Sequence, residues 1–248
     1  MGNILISGAS SGIGAALARS YAAPETHLTL WGRNAARLEA VAEDCRARGS
    51  HVATNCFDLA DMKALTAALT EADRQAPTDI AIFNAGLGGS LPHDAIAHDA
   101  LGAAAMATVN FTVPVVAAND MAVRMGARGA GLIVLIGSIA ALFALPMAPT
   151  YSGSKAGLMM FAAALHARVK RYGVSVTLVS PGFIDTPMSQ GLSEPRPFLI
   201  SADRAAAIIK RKVARGARHI IVPWPFAVIA AIAGFLPKAL VRAVLSRF

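Results

Sequence analysis

The chain has 248 residues, 55 % of them hydrophobic and 15 % charged, which excludes a disordered or fibrous polypeptide and suffices for one large α/β domain with a buried core. Its net charge of +8 is unevenly placed: residues 1–203 carry 14 Lys/Arg against 15 Asp/Glu, whereas residues 204–248 carry 9 Lys/Arg and no acid. No interleaving of basic and aromatic residues accompanies that excess, so nucleic acid is not an expected partner.

The first apolar run, residues 3–7, reads as a strand and not as a leader or membrane anchor. It leads into Ser7-Gly8-Ala9-Ser10-Ser11-Gly12-Ile13-Gly14 and a helix over 12–22. A glycine-rich turn between strand and helix lets the backbone approach a pyrophosphate, and the helix N-terminus supplies amide donors and a positive dipole. The second strand, 27–31, ends in Gly32-Arg33-Asn34. An acid there would hold the ribose hydroxyls of NAD. Arg33 offers a guanidinium instead, which suits a 2′-phosphate and points to NADP(H). A helix over 35–48 follows, with Cys45. Cys45 and Cys56 match no metal or redox spacing and read as free thiols in a reducing cytoplasm. The third strand, 51–57, leads to Asp58-Leu59, where Asp58 accepts from an adenine amine or caps the next helix, 61–75. The fourth, 79–83, ends in Asn84-Ala85-Gly86, small enough to let a cofactor pass over the sheet edge.

One long helix spans 97–125 and includes Asn110. The strand 132–137 is followed by Ser138, and a helix over 150–171 carries Tyr151 and Lys155. Four residues apart, these two leave one helix face. A nearby ammonium favours phenolate over a phenol of pKa ~10, which tunes a tyrosine for proton transfer. After the strand 174–180 come Pro181-Gly182, Ile184 and Thr186, then a short lid over 187–199 with Met188, Leu192 and Phe198. Leu145, Met147, Phe183 and Met188 would line an apolar pocket, which hints at a lipophilic carbonyl or alcohol. Ser201 caps a helix over 202–215, Gly216 stops it, and 219–222 forms the last strand. Strands alternating with helices predict a single doubly wound Rossmann-fold domain of class α/β, its seven-stranded parallel sheet covered by helices on both faces. Residues 1–223 form the nucleotide-binding and catalytic domain, and 224–248 an apolar and basic helical tail.

Taken in order, Ser7 to Gly14, Asp58-Leu59, Asn84-Ala85-Gly86, Asn110, Ser138, Tyr151-x-x-x-Lys155 and Pro181-Gly182 with Thr186 resemble the short-chain dehydrogenase/reductase family in its compact one-domain form. The match spans residues 7–186. The resemblance implies Tyr151 as acid–base residue, Lys155 on the nicotinamide ribose and lowering the tyrosine pKa, and Ser138 on the substrate oxygen. It also implies a water held by Asn110 that links Lys155 to solvent, and Thr186 on the nicotinamide carboxamide. Hydride would pass between the nicotinamide and a carbonyl carbon. Ser7 stands where the family has threonine, keeping the hydroxyl. Phe83 stands where a first asparagine is common, which removes a side-chain amide.

The uncharged run 220–237 touches the length of a spanning helix, but only 11 residues separate Pro225 from Pro237, too few to span. Beyond it Leu240, Val241, Val244, Leu245 and Phe248 form one stripe, with Lys238 and Arg242 on the other side. The expected partners are therefore a small carbonyl or alcohol substrate, a second subunit in a homodimer or homotetramer, and an anionic membrane met by the tail. The expected place is the cytoplasm, at the inner membrane face if the tail docks there. Two rival readings are a nucleotide-sugar epimerase-type isomerase, which shares Tyr-x-x-x-Lys but needs a larger sugar domain, and a catalytically idle NADP-binding regulatory protein, against which the intact Asn110, Ser138, Tyr151 and Lys155 set argues.

Overall fold

The computed structural model describes residues 2–91, 95–191 and 195–235. Leu192 of the expected lid and the tail from Leu236 onward lie outside the described residues.

Strands β1 (Asn3–Ser7), β2 (His27–Gly32), β3 (His51–Cys56), β4 (Ile80–Phe83), β5 (Gly131–Ile136) and β6 (Val174–Pro181) form the main sheet with a last strand, His219–Val222. Two short strands lie between, β7 (Ile184–Asp185) and β8 (Ile200–Ser201), which makes the last strand β9. The order β3-β2-β1-β4-β5-β6-β9 is parallel throughout, as expected for seven strands. Side chains alternate across each strand, so continuous apolar runs fill two cores. Ile4, Ile6, Leu28, Leu30, Val134 and Val179 face α1 (Gly12–Tyr21), α2 (Ala35–Arg46) and a later helix, Ala202–Ala214. Leu5, Trp31, Phe83, Ile133, Leu135 and Leu178 face the other side, toward α3 (Met62–Gln75) and its neighbours. Phe83 thus fills the core where an asparagine would have needed partners.

The expected helix 97–125 is corrected in detail. It starts at Ala100, because the Asp99 carboxylate caps it by accepting from Gly102 N at 2.8 Å. Helix α4 (Ala100–Ala107) passes into a π-helical turn, Thr108–Thr112, and then into α5 (Val113–Arg128). The whole run of 29 residues is long and apolar enough to cross a membrane. Its Ala117, Ala118, Met121 and Met125 face nevertheless packs into the sheet core. The helix expected from residue 61 begins at Met62, with Asp61 as its cap. Strand β3 stops one residue early, and Phe57 turns in against Trp31 with ring centroids 5.4 Å apart.

Helices α6 (Pro149–Val169), α7 (Pro187–Gln190), α8 (Ala202–Ala214) and α9 (Pro225–Phe235) complete the fold. Strands β7 and β8 pair Ile184 with Ile200 and Asp185 with Ser201. They tie together both ends of the segment between them, so the expected lid is a loop closed at its base. The chain reverses its winding between β1 and β4, and in open α/β sheets the crevice beyond the carboxyl ends at that point takes the ligand.

Candidate active site

The glycine-rich turn sits in that crevice. Gly8 has φ +66°, and a Cβ on it would come within 2.8 Å of Ala85 Cα. A Cβ on Gly14 would overlap the Gly8 carbonyl oxygen. The turn is therefore as tight as a chain without side chains allows. Ser7 Oγ accepts from Asn84 N at 3.1 Å and Ala85 N at 3.3 Å, and Asn84 Nδ2 donates to Gly8 O at 3.1 Å. These bonds join the turn to the end of β4 and give Ser7 and Asn84 a clear structural role. Ser11 is the N-cap of α1 but makes no capping bond with its side chain, so the first-turn amides stay open to an anion. Ile13 packs against the first core.

Gly32 is buried, and a Cβ there would touch Ser10 Cβ at 3.2 Å and Ser10 Oγ at 3.3 Å. Arg33, the next residue, is exposed and makes no ion pair among the described residues. Asn34 caps α2, its Oδ1 accepting from Arg37 N at 2.9 Å. Asp58 Oδ1 accepts from Ala60 N at 3.0 Å while Asp61 caps α3, so capping does not occupy Asp58. Leu59 is buried in the second core.

The π turn brings Asn110 under the loop after β4. Its Oδ1 accepts from Leu87 N at 2.8 Å, and its Nδ2 donates to Leu87 O at 2.9 Å and to Ser154 Oγ at 3.4 Å. The amide grips a backbone segment from both sides and is fully buried. That ties its side chain to the loop after β4. Leu87 was not singled out by sequence, because only its backbone takes part. A Cβ on Gly86 would meet Asn110 Oδ1 at 3.1 Å and Lys155 Nζ at 3.6 Å, which draws those two side chains to one place.

Ser138 follows β5 and caps a short 3₁₀ turn, its Oγ accepting from Ala140 N at 3.1 Å. Tyr151 and Lys155 lie on the first turns of α6. Lys155 Nζ donates to Ile136 O at 3.0 Å and lies 5.8 Å from the Tyr151 ring centroid. Burial pushes the Tyr151 phenol above its usual value, and the Ser138 hydroxyl beside it pulls it partly back. The lysine is itself desolvated, and burial pushes its ammonium down to about 8.

On the far wall Pro181 and Gly182 lead into β7, and Ile184 is buried. Thr186 caps α7, its Oγ1 accepting from Ser189 N at 3.3 Å. Its methyl lies 3.2 Å from where a Gly12 Cβ would stand, so lid and glycine turn meet over the crevice. Met188 lies over Gly88, at 2.6 Å from a Cβ placed there, and links the lid to the loop after β4. Leu145, Met147 and Phe183 are half-buried, and Leu91 N donates to Met147 O at 2.7 Å. Phe226, which the sequence places in the tail, is buried against Gly182 and lies 6.1 Å from Phe183, centroid to centroid.

Residues 2–197 match the family model for short chain dehydrogenases. The galactitol 2-dehydrogenase (L-tagatose-forming) of Cereibacter sphaeroides is 34 % identical over 197 residues, 78 % of this chain and 75 % of that one. An uncharacterized oxidoreductase of Myxococcus xanthus is 29 % identical over 98 % of this chain and 96 % of its own. A solved short-chain dehydrogenase from Sphingobium yanoikuyae, in complex with NADPH, superposes with a TM-score of 0.83 at 25 % identity, covering 96 % of this chain and 98 % of that one. With this match and the ordered site, the chain belongs to the short-chain dehydrogenase family of oxidoreductases.

Proposed function

We propose that the protein is an NADP(H)-dependent carbonyl reductase or alcohol dehydrogenase with Tyr151 as its general acid and base. The observation that carries this reading is the convergence of Ser138, Tyr151 and Lys155 beside Gly86, at the end of a crevice that begins at the glycine turn. Bound NADPH supplies the hydride. Ser138 orients the substrate oxygen by a hydrogen bond, and Tyr151 gives that oxygen its proton. In this reading Lys155, held by the Ile136 carbonyl, binds the nicotinamide ribose, and Thr186, the cap of α7, binds the carboxamide. Asn110 keeps the Leu87 segment in register with Lys155. Asn84, Ala85 and Gly86 form the floor, and Pro181, Gly182 and Ile184 the wall. In the same reading Asp58 accepts from the adenine amine.

The exposed Arg33, next to a Gly32 that packs against Ser10, supports NADP(H) over NAD(H). Its removal is expected to weaken NADPH binding by roughly 1.5–3 kcal/mol, the value of a charge-assisted hydrogen bond, and to leave NADH nearly unchanged. Titration of Arg33→Ala with both cofactors checks this. An equal loss for both, or a wild-type preference for NADH, rejects the assignment.

The half-buried Leu145, Met147 and Phe183 with Met188 support a lipophilic substrate in place of a polyol. The turnover of NADPH across a panel of soluble carbonyls tests the reading as a whole. Absence of turnover on every member favours the idle nucleotide-binding alternative. The domain reading follows: 1–223 binds and reacts, and 224–248 serves contacts, with a homo-oligomer and a cytoplasmic setting as the matching context.

A further inference from the structure

Among the described residues most of the exposed large apolar side chains lie at one end, apart from Val123 on α5, Met160 on α6 and Tyr172 in the turn before β6. Trp224 is 71 % exposed and Ile232 57 %, and Val228 and Ile229 lie with Ile232 on α9, whose eleven residues carry no charge. Phe198 and Leu199 of the lid are exposed as well. Ile96 and Leu101, where the chain leaves β4 for α4, are almost fully so. All these segments follow the carboxyl ends of parallel strands, the end that holds the site. Exposed apolar residues concentrated in this way mark a contact surface.

That surface is joined to the cleft. Phe226, in the first turn of α9, is 6 % exposed and covers Gly182. Its ring lies 6.1 Å from Phe183 and 5.5 Å, edge to face, from Phe198. One aromatic cluster therefore carries the base of the lid, the lid itself and the start of α9.

Charge distinguishes the occupants. After Asp203 there is no acid in the chain, and Lys238, Arg242 and Arg247 follow α9. Five of the other six basic residues do not belong to this surface. Helix α8 runs from the lid toward the amino edge of the sheet, so Lys210, Arg211, Lys212, Arg215 and Arg218 lie up to ~20 Å from it, at 1.5 Å per helical residue. Lys210 is engaged there with the Ser20 carbonyl at 2.6 Å. What remains is an uncharged helix with a tryptophan at its head, followed in the sequence by three cations. A second copy docked through α9 would present the same stretch of sequence, which holds no acid to meet these cations. An anionic bilayer meets both properties, apolar area and positive charge.

We propose that α9 and the residues around it dock on an anionic lipid surface, and that the substrate is a lipophilic carbonyl or alcohol entering the cleft from that lipid beneath the lid. The second half rests on the carbonyl-reductase reading; the first does not. The test is co-sedimentation of the full chain with phosphatidylglycerol/phosphatidylcholine vesicles, beside NADPH turnover on a short soluble ketone and on a long-chain ketone dissolved in the vesicles. Wild type is expected to bind anionic vesicles at low salt, and to release them when salt shortens screening from ~10 Å toward ~3 Å. Ile229→Asp with Ile232→Asp should weaken binding at least ~10-fold, since two exposed side chains lose their burial in lipid. That variant should keep wild-type turnover of the soluble ketone and lose turnover of the vesicle-borne one. Lys238→Glu with Arg242→Glu should remove the preference for anionic over neutral vesicles. Wild type left in the supernatant at low salt, or unimpaired binding by the aspartate variant, overturns docking. So does a lipid-free oligomer that the aspartate variant splits, because a second copy then covers α9. Vesicle binding with turnover of the soluble ketone but none of the vesicle-borne one overturns the entry route alone.

Discussion

Tyr151→Phe is expected to lower turnover by at least ~10²-fold while leaving NADPH binding intact, the lower end for loss of a general acid. The change removes one hydroxyl and no packing, and the glycine turn, Arg33 and Lys155 stay in place to hold the cofactor. Burial raises the Tyr151 pKa, so the phenol keeps its proton at neutral pH. It is therefore ready to give a proton, as carbonyl reduction needs, and must first lose one for alcohol oxidation. Reduction should be nearly flat with pH around neutrality, and oxidation should climb as pH rises. Stopped-flow binding and pH–rate profiles in both directions check these two signs. Turnover of the phenylalanine variant near the wild-type rate would remove Tyr151 from the mechanism.

Lys155→Met is expected to abolish most turnover and yet make the fold more stable. In the native state burial lowers the ammonium pKa to about 8, against ~10.4 for an unfolded lysine. Below pH 8 both states carry the charge, and the native state bears the whole cost of burying it, about 3 kcal/mol for a shift of that size. Between ~8 and ~10.4 the unfolded chain binds more protons, so wild-type stability rises with pH; above that range the cost is gone. Methionine removes the cost and also loses the bond to the Ile136 carbonyl, about 1 kcal/mol. The net gain is ~2 kcal/mol at pH 7 and vanishes in strong alkali. Urea unfolding of both proteins at neutral and alkaline pH measures it. A methionine variant less stable at pH 7, or a difference that ignores pH, contradicts the picture of a lysine held against its own solvation.

The sheet and the nucleotide crevice were legible in sequence because strands buried on both faces are written as short apolar runs, and glycines after the first of them have few other uses. Tyr151 and Lys155 were legible through spacing. Their electrostatics were not, since burial, which raises the Tyr151 pKa and lowers that of Lys155, is a property of the assembled sheet. The π turn left no trace, because Ala100–Arg128 is apolar all along and one inserted residue changes no composition. Asn110 could be named from the family likeness, but its grip on Leu87 involves backbone that any residue offers. Phe226 was assigned to the tail because Pro223 and Pro225 look like a boundary; the chain turns back there onto Gly182. The positive excess after residue 203 looked continuous in sequence. In space α8 carries Lys210, Arg211 and Lys212 away from the end that holds the site.

The π turn at Thr108–Thr112 acts as a phase shifter within one rod. Each residue of an α-helix advances the azimuth by ~100°, so one residue of slack turns α4 by that angle relative to α5 without bending the axis. The α5 half keeps its apolar side on the sheet, while the α4 half and Asn110 face the loop after β4. The core and the chemistry are thus set by two separate gears on one shaft. Removing a single residue from the turn should mesh them into plain α-helix, leaving circular dichroism and the melting transition near those of wild type while NADPH-coupled turnover disappears. The fold could then drift in stability without losing its register at the site, and could lose that register without unfolding.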